Sequence, residues 1–294
     1  MMTSFTPPTI TFFICLMTAW VGSVYAQTSQ PVSTIEFRQQ DQVIKSLHPE
    51  ELGTVTNRVI LTVFEVHERR ERQYSAYSAR SILDQVFGQR WRTADEIIFS
   101  CRDGYQPAIP VAKFLAYDAY FAVANADNSP FMLDNILQNH ETVELGPVYL
   151  IWDNRKFPVL LEEGASDMPY QIIGVELASF AARFPEMFPS APVSAEVKRG
   201  FLHFRKYCMA CHTMNGQGGS KAPELNYPVS VTEYFKPEYL RRWIDDPASL
   251  RFNTPMPALA AAIPKREQVI EEIIAYLAAM RTAKPVSSDK NSRK

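Results

Sequence analysis

KYCMACHTMNGQGG, residues 206–219, decides how this chain is read. Two thiols three residues apart, Cys208 and Cys211, are followed at once by His212. That spacing lets both thiols add across the vinyl groups of one haem while the imidazole reaches the iron from the same side. A tetrahedral zinc site needs a second pair of ligands, and the only other Cys or His between Ser194 and Lys294 is His203. A redox dithiol needs no trailing histidine. The stretch therefore predicts one covalently attached haem c with His212 as an axial iron ligand.

A second axial ligand is expected from a loop downstream. In RFNTPMPAL, residues 251–259, Met256 stands between Pro255 and Pro257. The prolines hold the thioether in a rigid extended segment. Met209, Met214 or no side chain at all are the alternatives left open. Helices flank the site. Ser194 is a candidate N-cap for a helix that puts Val197, Phe201, Phe204 and Tyr207 on or near one apolar face. KREQVIEEIIAYLAAM, residues 265–280, repeats the pattern with Val269, Ile273, Tyr276, Leu277 and Met280.

With these features on one stretch, residues 194–284 resemble a class I cytochrome c, an all-α fold. The match includes Gly200 and Phe204 before CMACH, the GQGG turn, Ala222-Pro223-Glu224-Leu225, WIDDP at 243–247 and the Met256-Pro257 pair. The resemblance implies that Pro223 offers its carbonyl to the second ring nitrogen of His212. It also implies one-electron transfer with no substrate at the iron.

The rest of the chain reads differently. Residues 1–26 carry no charge, contain the apolar run ITFFICLMTAW and end Val24-Tyr25-Ala26, which predicts a secretory signal peptide, with an uncleaved anchor as the alternative. No other run approaches the ~18 apolar residues of a spanning helix, so no stable membrane insertion is expected after cleavage. Removal of Cys15 with the leader leaves Cys101, Cys208 and Cys211, an odd number that excludes a complete disulfide framework. A net charge of −2 gives no basic field, which argues against a nucleic-acid partner.

FPEMFPSAPV, residues 184–193, predicts a stiff connector, assigned to 185–193, between two domains at 27–184 and 194–284, with a polar tail at 285–294. Residues 27–193 hold 14 Lys and Arg against 22 Asp and Glu, a net −8; residues 194–294 hold 16 against 10, a net +6. The two parts should attract each other or present opposite charges to partners. In the first, residues 58–66, 95–101, 148–152 and 170–177 read as strands and 79–88 as a helix stopped by Gly88, an α+β domain. HERRERQ, residues 67–73, reads as a solvated turn. His48, His67 and His203 read as surface or satisfied core residues.

IIFSCRDGYQPAIP, residues 97–110, ends a buried strand at Cys101 and continues through Asp-Gly-Tyr to Ile-Pro. With MPYQIIGVELASF at 168–180, taken as a strand pair, it resembles a sulfite-oxidase-like molybdopterin domain. That resemblance implies a cysteine at this position bound to molybdenum. The chain departs from it: the first region lacks clustered His, Asn and Arg for a pterin, and the leader has no twin-arginine pair. The expectation is the fold without its molybdopterin, and Cys101 as a buried thiol or as a metal or redox ligand near Asp103, Tyr105 or His140. Together these readings describe a periplasmic monohaem carrier rather than an enzyme. It would work between a dehydrogenase or oxidase partner and the respiratory chain, with the first domain docking or sensing. The alternative is a molybdenum oxidoreductase whose haem is a built-in acceptor.

Overall fold

β-Branched and aromatic runs in the first half and two long amphipathic segments in the second give a mixed sheet structure followed by helices in a computed structural model, which describes residues 1–2, 34–190 and 192–285. The predicted signal peptide, apart from residues 1–2, and the polar tail, apart from residue 285, lie outside the described residues. The first half runs β1 (Ile35–Gln39), β2 (Gln42–Leu47), β3 (Val59–Glu65), β4 (Arg70–Ser78), α1 (Ala79–Phe87), β5 (Glu96–Cys101), β6 (Ala108–Pro110) and α2 (Val111–Ala116). It continues with β7 (Ala119–Asn125), β8 (Met132–Asn135), β9 (Glu141–Glu144), β10 (Tyr149–Trp152), β11 (Ile172–Ala178) and α3 (Phe180–Arg183). The second half contains α4 (Ala195–Tyr207), a two-residue hairpin of β12 (Thr213–Met214) and β13 (Gln217–Gly218), α5 (Val231–Tyr234), α6 (Pro237–Asp245) and α7 (Arg266–Met280).

Two larger sheets, in strand orders β2-β1-β11-β5-β6 and β10-β7-β4-β3, and a two-stranded β8-β9 sheet form the first half. β1 lies parallel to β11 and every other pairing in these two sheets is antiparallel. Successive strand side chains face opposite ways, and β5 uses both faces. Ile97, Phe99 and Cys101 enter the core of the first half, while Ile98 enters a second core with Phe201, Phe204 and Tyr276. Hence β5 is apolar without alternation: the helical half covers its other face.

Ser194 caps α4 by accepting the Val197 N–H at 3.2 Å, and α4 packs against α7 at Gly200. A Cβ there would fall 1.8 Å from the Glu272 carbonyl oxygen, so this close crossing requires glycine. α7 buries Val269, Ile273, Tyr276, Leu277 and Met280, the face read from the sequence.

Three expectations change. HERRERQ is a turn only at its start, because Arg70 to Gln73 open β4, where the Arg72 guanidinium is paired with Glu68 and Asn125. His67 is buried, 5% exposed, against Glu65. Residues 168–180 form one strand, not two; Gln171 takes a left-handed φ of 57°, so the strand begins only at Ile172. The segment after Phe184 does not run as a free connector. Phe184 and Met187 are buried in the second core, and the Met187 carbonyl accepts the Tyr276 hydroxyl at 2.7 Å. The described residues from Thr34 onward accordingly fall in one compact unit.

The charge asymmetry is realised at the contact between the halves. Lys206 on α4 bonds Asp167 and lies 2.9 Å from Glu163, and Lys113 bonds the same two carboxylates. Arg205 pairs with Glu96 and covers the Phe180 ring at 3.6 Å. Lys221 meets Asp103 at 2.7 Å. For Lys206, Arg205 and Lys221 the base comes from the helical half and the acid from the first, whereas Lys113 joins the cluster from within the first half.

Candidate haem site

α4 ends at Tyr207, and its last turn delivers the Cys-x-x-Cys-His segment. Cys208 caps the helix through its N–H to the Phe204 carbonyl, and the N–H groups of Cys211 and His212 both return to the Cys208 carbonyl at 3.1 and 3.0 Å. This tight turn puts both half-buried thiols on one short arc, each unpaired. Burial pushes the Cys208 thiol up to about 12, with a smaller contribution from Cys211, and the Cys211 thiol up to about 11. A redox dithiol needs a lowered thiol pKa, so the pair lacks the electrostatics of a disulfide exchanger.

His212 donates from Nδ1 to the Pro223 carbonyl at 2.7 Å, the contact the cytochrome resemblance implies. Among the described residues Nε2 has no hydrogen-bond partner, and burial holds the ring below its ordinary pKa against the opposing Pro223 bond, so the imidazole is neutral and free to ligate. Glu224 fixes the carbonyl in place. One of its oxygens accepts the N–H groups of Asn215 and Asn226 at 2.8 Å and the other that of Gly216 at 2.8 Å. Burial alone would raise this carboxyl, but the backbone donors outweigh it and lower its pKa. The GQGG turn has an equally physical basis. At Gly219 a Cβ would sit 1.9 Å from the Ala210 carbonyl oxygen, so only glycine lets the chain pass against the Cys-x-x-Cys loop.

Met256 is half-buried between its two prolines, its N–H directed to Thr254 Oγ1 at 3.3 Å. Met209 and Met214 are fully buried in the apolar core. Two unpaired thiols on one turn and a braced neutral imidazole with a free nitrogen make a donor set that suits a covalently attached haem.

Fold and site together define a sheet-built domain joined to a helical module for c-type haem attachment. Residues 197–281 match the family model for cytochrome c, so this part of the chain is a cytochrome c domain, which implies covalently bound haem c and an electron-carrying role. No curated protein matches the chain. Among the described residues, no helix is long and apolar enough to cross a membrane.

Cys101, 6% exposed, ends β5 opposite Ile172. Burial pushes its thiol well up, with Asp103 adding to the effect. The loop that follows lies directly on the haem-attachment turn. The Gln106 N–H donates to the Ala210 carbonyl, between the two cysteines, at 2.7 Å, and the Ser220 N–H donates to the Gly104 carbonyl at 2.9 Å. Gly104 has φ +87°, and a Cβ there would meet Ser220 Oγ at 2.6 Å. Asp103 and Tyr105 share the turn after Cys101, whose N–H donates to the Tyr105 carbonyl at 3.0 Å. His140, by contrast, is exposed and pairs with Asp134. Among the described residues no cluster of three or more His, Cys, Asp or Glu side chains is arranged to hold a metal ion.

Sequence reading missed the residues that join the halves: Lys206, Asp167, Glu163, Tyr170 and Gln138. Their only sequence signal was the opposite net charge of the two parts, which foretells attraction and not its address. It also missed a buried polar cluster in which Glu65 accepts from Tyr74 at 2.7 Å and Tyr149 at 3.0 Å beside His67.

Proposed function

We propose that this chain is an exported single-haem electron carrier in which His212 and Met256 hold the iron and the first domain is a fixed docking module on the haem-attachment side. The observation that carries the reading is His212: its Nδ1–H is committed to Pro223 while Nε2 stays free, beside the unpaired thiols of Cys208 and Cys211. Bound haem supplies a one-electron ferric/ferrous couple, and Met/His ligation places it at higher potential. The chain's own residues keep the imidazole neutral and oriented and pack Cys208 against the apolar core of the helical half. The uncharged leader at 1–26 and the maturation route of c-type haem both support a periplasmic location. The external partner would be a dehydrogenase or oxidase on one side and a respiratory chain on the other.

Expression with cytochrome c maturation tests this. The expected product is one covalently bound haem per chain, a sharp visible band on reduction and loss of attachment in the Cys208→Ala/Cys211→Ala double variant. A reduced protein without that band would falsify the reading.

One observation favours a second reading, a molybdopterin enzyme of the sulfite-oxidase type. The loop after Cys101 packs on the Cys-x-x-Cys turn, so a metal held at Cys101 would stand next to the haem as its internal acceptor. Molybdenum stoichiometric with iron in protein from a cofactor-competent host, and lost in Cys101→Ser, supports it. Iron alone eliminates it.

A further inference from the structure

One continuous chain of polar contacts runs through the first domain from the segment behind His212 to the segment that carries Met256. Lys221, two residues before Pro223, donates to Asp103 at 2.7 Å and to the Tyr170 hydroxyl at 3.1 Å. The Tyr170 hydroxyl donates onward to Gln138 Oε1 at 3.3 Å. That oxygen also accepts from Asn135 Nδ2 at 2.8 Å, so the amide is oriented with Nε2 outward, and Nε2 donates to the Pro255 carbonyl at 3.1 Å. Pro255 immediately precedes Met256.

The chain is anchored where it could otherwise slacken. Tyr170 is 7% exposed, and its ring meets His67 edge-on at 5.9 Å and Tyr149 at 6.3 Å. The turn bearing Gln138 is tied down by the Ile136 N–H, which donates to the His67 carbonyl at 3.0 Å. Lys221 also lies over the Tyr170 ring at 5.3 Å. Beside Met256 the backbone bonds are local, from the Thr254 N–H to the Arg251 carbonyl and from the Met256 N–H to Thr254 Oγ1, so a bond from a rigid body adds a restraint the segment does not make for itself.

We infer that Tyr170 and Gln138 are positioning residues through which the first domain sets how firmly Met256 holds the iron. The inference rests on the haem reading and on Met256 as the sixth ligand. Neither residue touches the iron. They act on the backbone at Pro255, and Tyr170 joins that restraint to Lys221 on the His212 side. The first domain is then a governor of the sixth coordination position, and anything that shifts the Tyr170 hydroxyl alters ligand exchange at the haem.

The test uses the full-length ferric holoprotein with imidazole as a competing ligand, monitored by the visible spectrum. The near-infrared sulfur-to-iron charge-transfer band reports Met256, and thermal melting reports the fold. Gln138→Leu removes the bond to Pro255; Tyr170→Phe keeps the ring and removes the link. Each is expected to tighten imidazole binding about fivefold, the exchange expected for one neutral hydrogen bond. Because both break one chain, the double variant should gain little beyond either single one. Lowered melting temperatures with unchanged imidazole affinity and an intact charge-transfer band would assign both residues a structural role only and overturn the inference. A wild-type protein lacking the band would instead remove Met256 as ligand, and the inference with it.

Discussion

Replacing Lys206 with methionine removes one ammonium from the contact between the halves while keeping most of the aliphatic stem. Lys206 holds Glu163 at 2.9 Å and bonds Asp167, whose side chain is 7% exposed. An exposed ion pair contributes about 0–1 kcal/mol, and orphaning a fully buried partner costs about 3–5 kcal/mol. Asp167 keeps its bond to Lys113 at 2.6 Å, so the expected loss lies between these limits, about 2 kcal/mol. With a urea slope of about 3 kcal/mol/M for a chain of this size, the midpoint should fall by about 0.7 M at neutral pH. The effect carries a pH signature. Burial alone would raise the Asp167 carboxyl, but Lys113 and Lys206 outweigh it and hold it below its ordinary value. A carboxyl depressed on folding stabilises above its unfolded pKa, and the contribution is lost as pH falls through the folded value. Burial likewise lowers Lys206, and Asp167 and Glu163 more than reverse it, so its contribution is lost only as pH rises through the raised folded value. The difference between wild type and Lys206→Met should therefore be full from about pH 4 to 10 and smaller at pH 3 than at pH 7. Urea titration of the holoprotein at both pH values checks this. A midpoint shift under about 0.2 M at pH 7, or an equal shift at pH 3, would refute the argument.

Gly200→Ala should destabilise despite alanine's advantage of about 1 kcal/mol in a helix. A Cβ 1.8 Å from the Glu272 carbonyl forces α4 and α7 apart, for a net loss of about 2 kcal/mol or more in urea unfolding. Glu65→Leu leaves the hydroxyls of Tyr74 and Tyr149 without their acceptor and should cost about 3 kcal/mol in thermal or urea unfolding, with the haem spectrum unchanged. Cys101→Ser puts a hydroxyl in an apolar site, at about 1–2 kcal/mol. If Cys101 is only a packed thiol, haem content and visible spectrum will match wild type; a change in either shows that it serves the haem or a metal.

Where chemistry requires residues at a fixed short spacing, the sequence by itself was sufficient. Two thiols and an imidazole that serve one ring must be nearly contiguous, so Cys208, Cys211 and His212 were legible without a fold. Local hydrogen bonding and helical period likewise determined α4, with Ser194 as its cap, and the buried face of α7. The strands at 58–66, 95–101 and 148–152 were legible as continuous β-branched and aromatic runs, which burial accounts for in the last two, while β3 is an edge strand with Val59 and Ile60 exposed. β4 was not, because Arg70 to Gln73 look solvated until the partners of Arg72 are known. Only the tertiary structure decided what long chain separations bring together. The parallel pairing of β1 with β11 sets β5 between two cores, and so Ile98 serves the helical half and Cys101 the first. Lys206 with Asp167, and Lys221 with Tyr170 and Gln138, meet for the same reason. Net charge records that acids and bases attract, but the pairing of particular side chains depends on topology, which no local pattern encodes.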